Sequence, residues 1–239
     1  MPLVAAAVCP HPPLIVPELA GAAAPELDDL RAAADAAVAR LLAADPEVIL
    51  LLGAGPQSRA FGAADSGSLR GYGLDRPVRL WKVACSGAEV LPLSLTIGAW
   101  LVNRSGTELP RLARAVAADA SPAECAALGA DLVAEPDGRS ALLVLGDGSA
   151  CRGVKAPGYD DPRAPAYDEG VAAALAGADV EALLGLDPVL SAELKVAGRA
   201  PWQVLAGAVR GAGGDWRGDL GYQEAPYGVA YFVANWERV

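Results

Sequence analysis

Three short, uninterrupted apolar runs constrain the fold of this chain more than any other feature of its sequence. The runs cover residues 3–8, 48–52 and 141–145. A run of five or six apolar residues is typical of a strand that is buried on both faces, as strands of parallel sheets are. Helix-like segments alternate with these runs. The sequence therefore predicts one α/β domain over residues 1–239, with a central, mostly parallel sheet and helices on both faces.

Helices are predicted over residues 25–44, 93–102, 108–118 and 167–175, and strands over 79–84 and 229–236. The most specific local signal is Ser121-Pro122-Ala123-Glu124. It is a capping box with proline at the first helical position, so a helix should begin there and run to about residue 133.

His11 is the only histidine, and it follows the first apolar run within Cys9-Pro10-His11-Pro12-Pro13. The two prolines after it should bar a helix and force an extended exit. Loops at the carboxyl ends of strands are where α/β proteins place ligands and acid/base groups. His11 is therefore a candidate metal ligand. The alternative is a structural histidine whose ring is hydrogen-bonded to backbone or to a carboxylate such as Asp147.

Composition narrows the classes of partner. The formal net charge is −10, from 19 basic and 29 acidic residues, which argues against nucleic acid and anionic membranes as partners. No apolar run reaches the ~18 residues of a membrane span. Cys9, Cys85, Cys125 and Cys151 form no C-x-x-C pair, so buried thiols in a cytoplasmic protein are expected. A chain this rich in Ala, Val and Leu could also bury a helical face against a second copy, as a homo-oligomer.

The string from Pro10 to Glu18, PHPPLIVPE, resembles the N-terminal metal-ligand segment of the class III extradiol dioxygenases. This is the family of the protocatechuate 4,5-dioxygenase catalytic (LigB) subunit and of its Memo-like relatives. Residues 53–58 and 146–151 resemble the family's Ser-Pro-His and Gly-Asp-Leu-Ser-His segments. The resemblance implies a LigB-like fold and a site where two histidines and a glutamate hold Fe(II), with a further histidine as acid/base. His11 would then be one metal ligand, and Glu224 is the candidate carboxylate ligand.

The sequence departs from the family pattern at two of these positions. Pro56 and Gln57 stand where the second metal histidine belongs, and Ala150 replaces the acid/base histidine. A facial triad for Fe(II) needs two imidazoles and one carboxylate, and a catechol hydroxyl needs a base. The leading hypothesis is a divergent family member without ring cleavage and without a cofactor. Its cleft would bind a small, aromatic molecule or a protein partner.

Two other hypotheses remain open. One is an enzyme of altered chemistry, an oxidoreductase or hydrolase, that uses His11 with Fe(II), Zn(II) or no metal. Asp147, an acid after a buried strand, and Cys151, a thiol beside Arg152, are its candidate catalytic residues. Asp147 could instead brace its loop by accepting backbone N–H groups, and Cys151 could be an inert thiol. The other hypothesis is a structural or assembly subunit.

Overall fold

In a computed structural model that describes residues 3–81, 90–135 and 138–239, a seven-stranded sheet runs through the middle of the molecule. The strands are β1 (Leu3–Cys9), β2 (Val48–Gly55), β3 (Arg59–Phe61), β4 (Ser66–Ser68), β5 (Pro77–Arg79), β6 (Arg111–Ala117), β7 (Ser140–Leu145), β8 (Trp216–Glu224) and β9 (Tyr231–Arg238). The sheet order is β3-β6-β2-β7-β1-β9-β8, and β4 pairs with β5 in a separate ribbon. The four central strands β6, β2, β7 and β1 are parallel, whereas β3, β9 and β8 each pair antiparallel with a neighbour.

Helices cover both faces of the sheet, which confirms the predicted α/β architecture. The α-helices are α1 (Pro17–Ala20), α2 (Asp28–Ala43), α3 (Leu93–Arg104), α4 (Pro122–Ala134), α5 (Ala164–Gly177), α6 (Val180–Leu184), α7 (Pro188–Glu193) and α8 (Arg199–Ala212). Short 3-10 helices cover Pro13–Ile15, Gly21–Leu27, Arg70–Tyr72 and Pro226–Gly228. Helices α2 and α3 pack on one face, and α4, α5 and α8 pack on the other.

The central strands alternate their side chains between two hydrophobic clusters, as strands buried on both faces should. In β2, Leu51 belongs to the cluster with α2 and α3, while Leu50 and Leu52 belong to the cluster with α4 and α8. All three are fully buried. The sheet thus separates two cores.

Helices α4 and α8 approach closely because glycines lie at their contact. A Cβ on Gly129 would overlap the carbonyl oxygen of Val204, and one on Gly207 would overlap the carbonyl oxygen of Ala126. The predicted capping box starts α4 and is confirmed. Ser121 accepts from the Glu124 N–H, and the Glu124 carboxylate accepts from the Ser121 N–H.

The structure corrects two local expectations. The helix predicted over 108–118 is wrong, because Arg111–Ala117 is strand β6. Arg111, Ala113 and Ala115 are buried whereas Leu112 is exposed, which is the period of a strand. The extended exit expected after His11 is limited to Pro12, because a 3-10 helix begins at Pro13.

Of the strand predicted over residues 79–84, only Arg79 belongs to a strand, which is the last residue of β5. Leu80 and Trp81 are not part of a strand, and residues 82–84 lie outside the described residues. In the described ranges, no helix is long and apolar enough to cross a bilayer.

Candidate functional site

Three parallel strands end side by side and bring the sequence-predicted loops together. Leu145 at the end of β7 pairs with Cys9 of β1 on one side and with Gly53 of β2 on the other. The loops that carry His11, Asp147 and residues 56–57 therefore share the carboxyl edge of the sheet, as the sequence predicted.

Backbone hydrogen bonds fix the loop that carries Asp147. The Gly146 N–H donates to the Cys9 carbonyl at 3.0 Å, and the Gly148 N–H donates to the Ala230 carbonyl at 2.8 Å. The Asp147 carbonyl accepts from the Gly198 N–H at 2.8 Å. These bonds tie the loop to β1, to the start of β9 and to the start of α8. Asp147 is therefore held in place by its main chain.

His11 and Asp147 form a close, largely buried pair. The carboxylate Oδ1 of Asp147 accepts the backbone N–H of His11 at 2.8 Å, which confirms the loop-bracing role. The imidazole Nδ1 lies 3.4 Å from the same oxygen, but it has no hydrogen-bond partner among the residues that the structure describes. The expected hydrogen bond to the ring is therefore replaced by an electrostatic contact. The side chains are 9% and 15% exposed.

The pair has a third titratable neighbour, Tyr231, that sequence reasoning missed. Burial raises the pKa of the Asp147 carboxyl, and this is opposed by the nearby charge of His11 and by its backbone N–H bond. Burial also raises the pKa of the Tyr231 hydroxyl, and the charge of Asp147 raises it further. Tyr231 begins β9 and is buried. In the sequence it was one residue of an alternating strand, and only the pairing of β9 with β1 brings it to this edge.

A second carboxylate, Asp168 of α5, lies fully buried next to the same loop. Its oxygens accept from the Ser149 N–H at 2.9 Å, the Ser149 hydroxyl at 2.6 Å and the Arg152 guanidinium at 3.1 Å. Asp168 is 1% exposed and Ser149 is fully buried. This network anchors the segment that follows Asp147, and Arg152 points its charge at Asp168.

Cys151 and Glu224 are not brought to the His11–Asp147 pair. The Cys151 thiol is buried with Ala164 and Leu194 and donates to the carbonyls of Gly158 and Leu194, both at 3.5 Å. Burial is the main cause that raises its pKa, which keeps it a thiol at neutral pH. Glu224 is exposed at the end of β8. Strand β9 separates β8 from β1, which puts the two backbones about 9.6 Å apart.

The donor groups at this edge do not fit a resident Fe(II) or Zn(II). In the ranges that the structure describes, no three His, Cys, Asp or Glu side chains gather as a metal-binding group. Gln57 is exposed at the end of β2, and Ala150 adds no donor. His11 turns its Nδ1 toward Asp147, and Glu224 lies two strands away. One imidazole and one carboxylate leave a facial triad incomplete.

The comparisons with known proteins bear on the fold. No protein-family model matches this sequence, and no curated protein matches it. Among solved structures, the chain is similar to the uncharacterized protein JW3007 from Escherichia coli K12. The TM-score is 0.58 at 13% identity, and the match covers 98% of this chain and 99% of that chain. At this identity the likeness shows a shared fold over almost the whole length.

Proposed function

We propose that this protein is a divergent relative of the class III extradiol dioxygenases that binds a small aromatic molecule at the carboxyl edge of its sheet and does not cleave it. The observation that carries the proposal is the His11–Asp147 contact of 3.4 Å. It directs the imidazole of His11, which lies in the segment that resembles the family's metal-ligand segment, to the carboxylate of Asp147. The other positions of that pattern hold Gln57 and Ala150.

The chemistry of the pair suits a hydroxylated ring. Oδ1 of Asp147 already accepts the His11 N–H, and a carboxylate has lone pairs left for a ligand hydroxyl. Asp147 and His11 both keep some exposure, so a ligand can reach them. Tyr231 adds a phenol within the electrostatic reach of Asp147. The hydroxyl groups of a catechol-type molecule can donate to the remaining lone pairs of Asp147.

Ring cleavage is tested by titrating the protein with Fe(II) in the presence of catechol or protocatechuate under air. We expect no ring-opening absorbance and no stoichiometric iron. Stoichiometric Fe(II) together with ring opening would overturn the proposal. Glu224→Gln is the control, because an exposed glutamate that holds no metal can be replaced without effect.

Binding is tested by thermal melts of the wild type and His11→Ala with catechol, which carries no charge at neutral pH, and with Fe(II), Zn(II) or Mn(II) alone. A molecule that binds only the folded state raises the melting temperature. We expect catechol to stabilise the wild type and not His11→Ala, and the metals to stabilise neither. If catechol does not stabilise the wild type, the binding function is wrong. A metal shift confined to the wild type would instead favour a metalloenzyme.

The same contact favours a second candidate function, proton transfer by His11 in an enzyme of altered chemistry. A carboxylate beside Nδ1 orients an imidazole and leaves Nε2 for the substrate proton. Because His11 is the only histidine, carbethoxylation by diethyl pyrocarbonate reports on that one ring. This candidate expects fast modification in the native protein and a changed pH profile in Asp147→Asn. Modification only after unfolding would exclude it.

A further inference from the structure

A cavity of about 780 Å³ opens at the amino edge of the sheet. Arg111, the first residue of β6, lines it, and β6 runs from there toward the carboxyl edge over about 20 Å. The cavity therefore lies far from the His11–Asp147 pair. Its charged and aromatic lining consists of Arg76, Arg79, Arg104, Arg111, Trp81 and Trp100. Among the described residues that line it, none is acidic, although the chain has a net charge of −10.

Two of the four arginines are neutralised by carboxylates outside the cavity. Arg76 pairs with Glu18 at 3.0 Å. Arg104 makes two hydrogen bonds to Asp35, at 2.9 and 2.6 Å. Arg79 is exposed on β5, and its guanidinium forms no ion pair with a carboxylate of the described residues. The free charge of the cavity thus comes from Arg79 and Arg111.

Arg111 is a buried cation whose hydrogen-bond partners in the described ranges are all neutral. It is 5% exposed, and its terminal nitrogens donate to the Leu80 carbonyl at 3.0 Å, the Asn103 side-chain oxygen at 2.5 Å and the Thr107 carbonyl at 3.2 Å. Its Nε is buried and has no hydrogen-bond partner in the described part of the chain. A buried charge without a counter-ion is costly, and arginine does not lose its proton to relieve that cost. The wall of the cavity therefore carries a positive charge that an anion can neutralise.

Trp81 gives the cavity an aromatic side chain that a ligand can reach, because it is only half-buried. Trp100 is buried, and the Arg104 guanidinium carbon lies 4.8 Å from its ring centroid, so one face of its ring is already covered. The volume falls within the range of small-molecule sites. We propose that this cavity is a binding site for a small aromatic anion. The ring would lie against Trp81, and a carboxylate or phosphate group would accept from Arg79 in the field of Arg111.

The test is calorimetric titration of the full chain with benzoate, phenyl phosphate, inorganic phosphate and benzylamine. We expect benzoate or phenyl phosphate to bind, which also identifies the anionic group, and benzylamine not to bind. Arg79→Ala should weaken binding by about tenfold or more, because the guanidinium is the accessible donor. Arg217→Ala is the matched control, since Arg217 is a similarly exposed arginine on β8. It should bind like the wild type.

Three results would overturn the proposal. Failure of both aromatic anions to bind would show that the cavity is not such a site. Equal binding of inorganic phosphate would mean an adventitious ion only, with no part for Trp81. Equal loss in Arg79→Ala and Arg217→Ala would mean attraction to the surface as a whole. Melting curves of both variants serve as the check that they are folded.

Binding can also be followed by tryptophan fluorescence. If the ligand lies against Trp81, Trp81→Phe should remove most of the fluorescence change that the ligand causes in the wild type.

Discussion

Two aspartates lie at the carboxyl edge of the same sheet, and they differ in how their oxygens are satisfied. Asp168 accepts from a backbone N–H, a hydroxyl and a guanidinium. Asp147 accepts from one backbone N–H and faces a ring nitrogen that makes no hydrogen bond to it. A buried carboxylate with a full set of donors stabilises the fold, whereas one with donors missing can still respond to a proton or a ligand. Asp168 therefore has a structural role, whereas Asp147 belongs to the candidate site.

The largest effect that this comparison predicts is at Asp168. Asp168→Ala leaves the Ser149 N–H and hydroxyl buried without an acceptor, and it should lower the free energy of unfolding by about 3–5 kcal/mol. Urea denaturation measures this. Glu169→Ala, at the neighbouring exposed position of α5, is the control and should change stability by less than about 0.5 kcal/mol. Equal effects of the two substitutions would remove the structural role of Asp168.

A smaller effect is predicted for Ser149→Ala, which removes one hydrogen bond to a charged group. The expected loss of stability is about 1.5–3 kcal/mol in the wild type. In the Asp168→Ala background the same substitution should cost almost nothing, because the acceptor is already gone. The four proteins form a double-mutant cycle in urea. Equal costs in both backgrounds would mean that the hydroxyl does not act through Asp168.

A smaller, pH-dependent effect on the free energy of unfolding is predicted for Asp147→Asn. Burial raises the folded pKa of Asp147 above its ordinary value of 3.8, so the folded protein holds that proton more tightly than the unfolded chain. The stability of the wild type should therefore fall as the pH rises through the raised pKa. Asparagine does not titrate, so the variant should not show this part of the pH dependence. As the pH rises above the ordinary value of 3.8, the difference in unfolding free energy should shift in favour of Asp147→Asn. A constant difference, or a shift in the opposite sense, would show that Asp147 is as well satisfied as Asp168.

The fold was predictable where the signals are local. The apolar runs predicted three of the four central strands, β1, β2 and β7. Ser121 with Glu124 marked the start of α4, because a capping box involves residues three apart. Strand β6 was missed because an alanine-rich segment is compatible with a helix until its sheet neighbours select the extended form. Strand β8 was missed because its side chains are half-buried or exposed along its whole length.

The site was predictable only in part. The sequence placed His11 and Asp147 on strand ends, and the order of β1 and β7 brings those ends together. Neither the Tyr231 contribution nor the Asp168 network could be predicted, since each joins residues at least 16 positions apart in the sequence. Glu224 was matched to the family's carboxylate by its late position, and sheet order separates it from His11 by a full strand. Distance across a sheet cannot be read from order along a chain.

The sheet also separates two hydrophobic cores, so substitutions in one core should affect stability independently of substitutions in the other. Leu30 of α2 and Leu205 of α8 are both fully buried, one in each cluster. Truncating either to alanine should cost about 2–5 kcal/mol, and the double variant should lose the sum to within about 0.5 kcal/mol. Each layer can therefore accumulate substitutions without reference to the other. The helices on one face can therefore change in sequence while the helices on the opposite face, and the strand ends between the two layers, keep theirs.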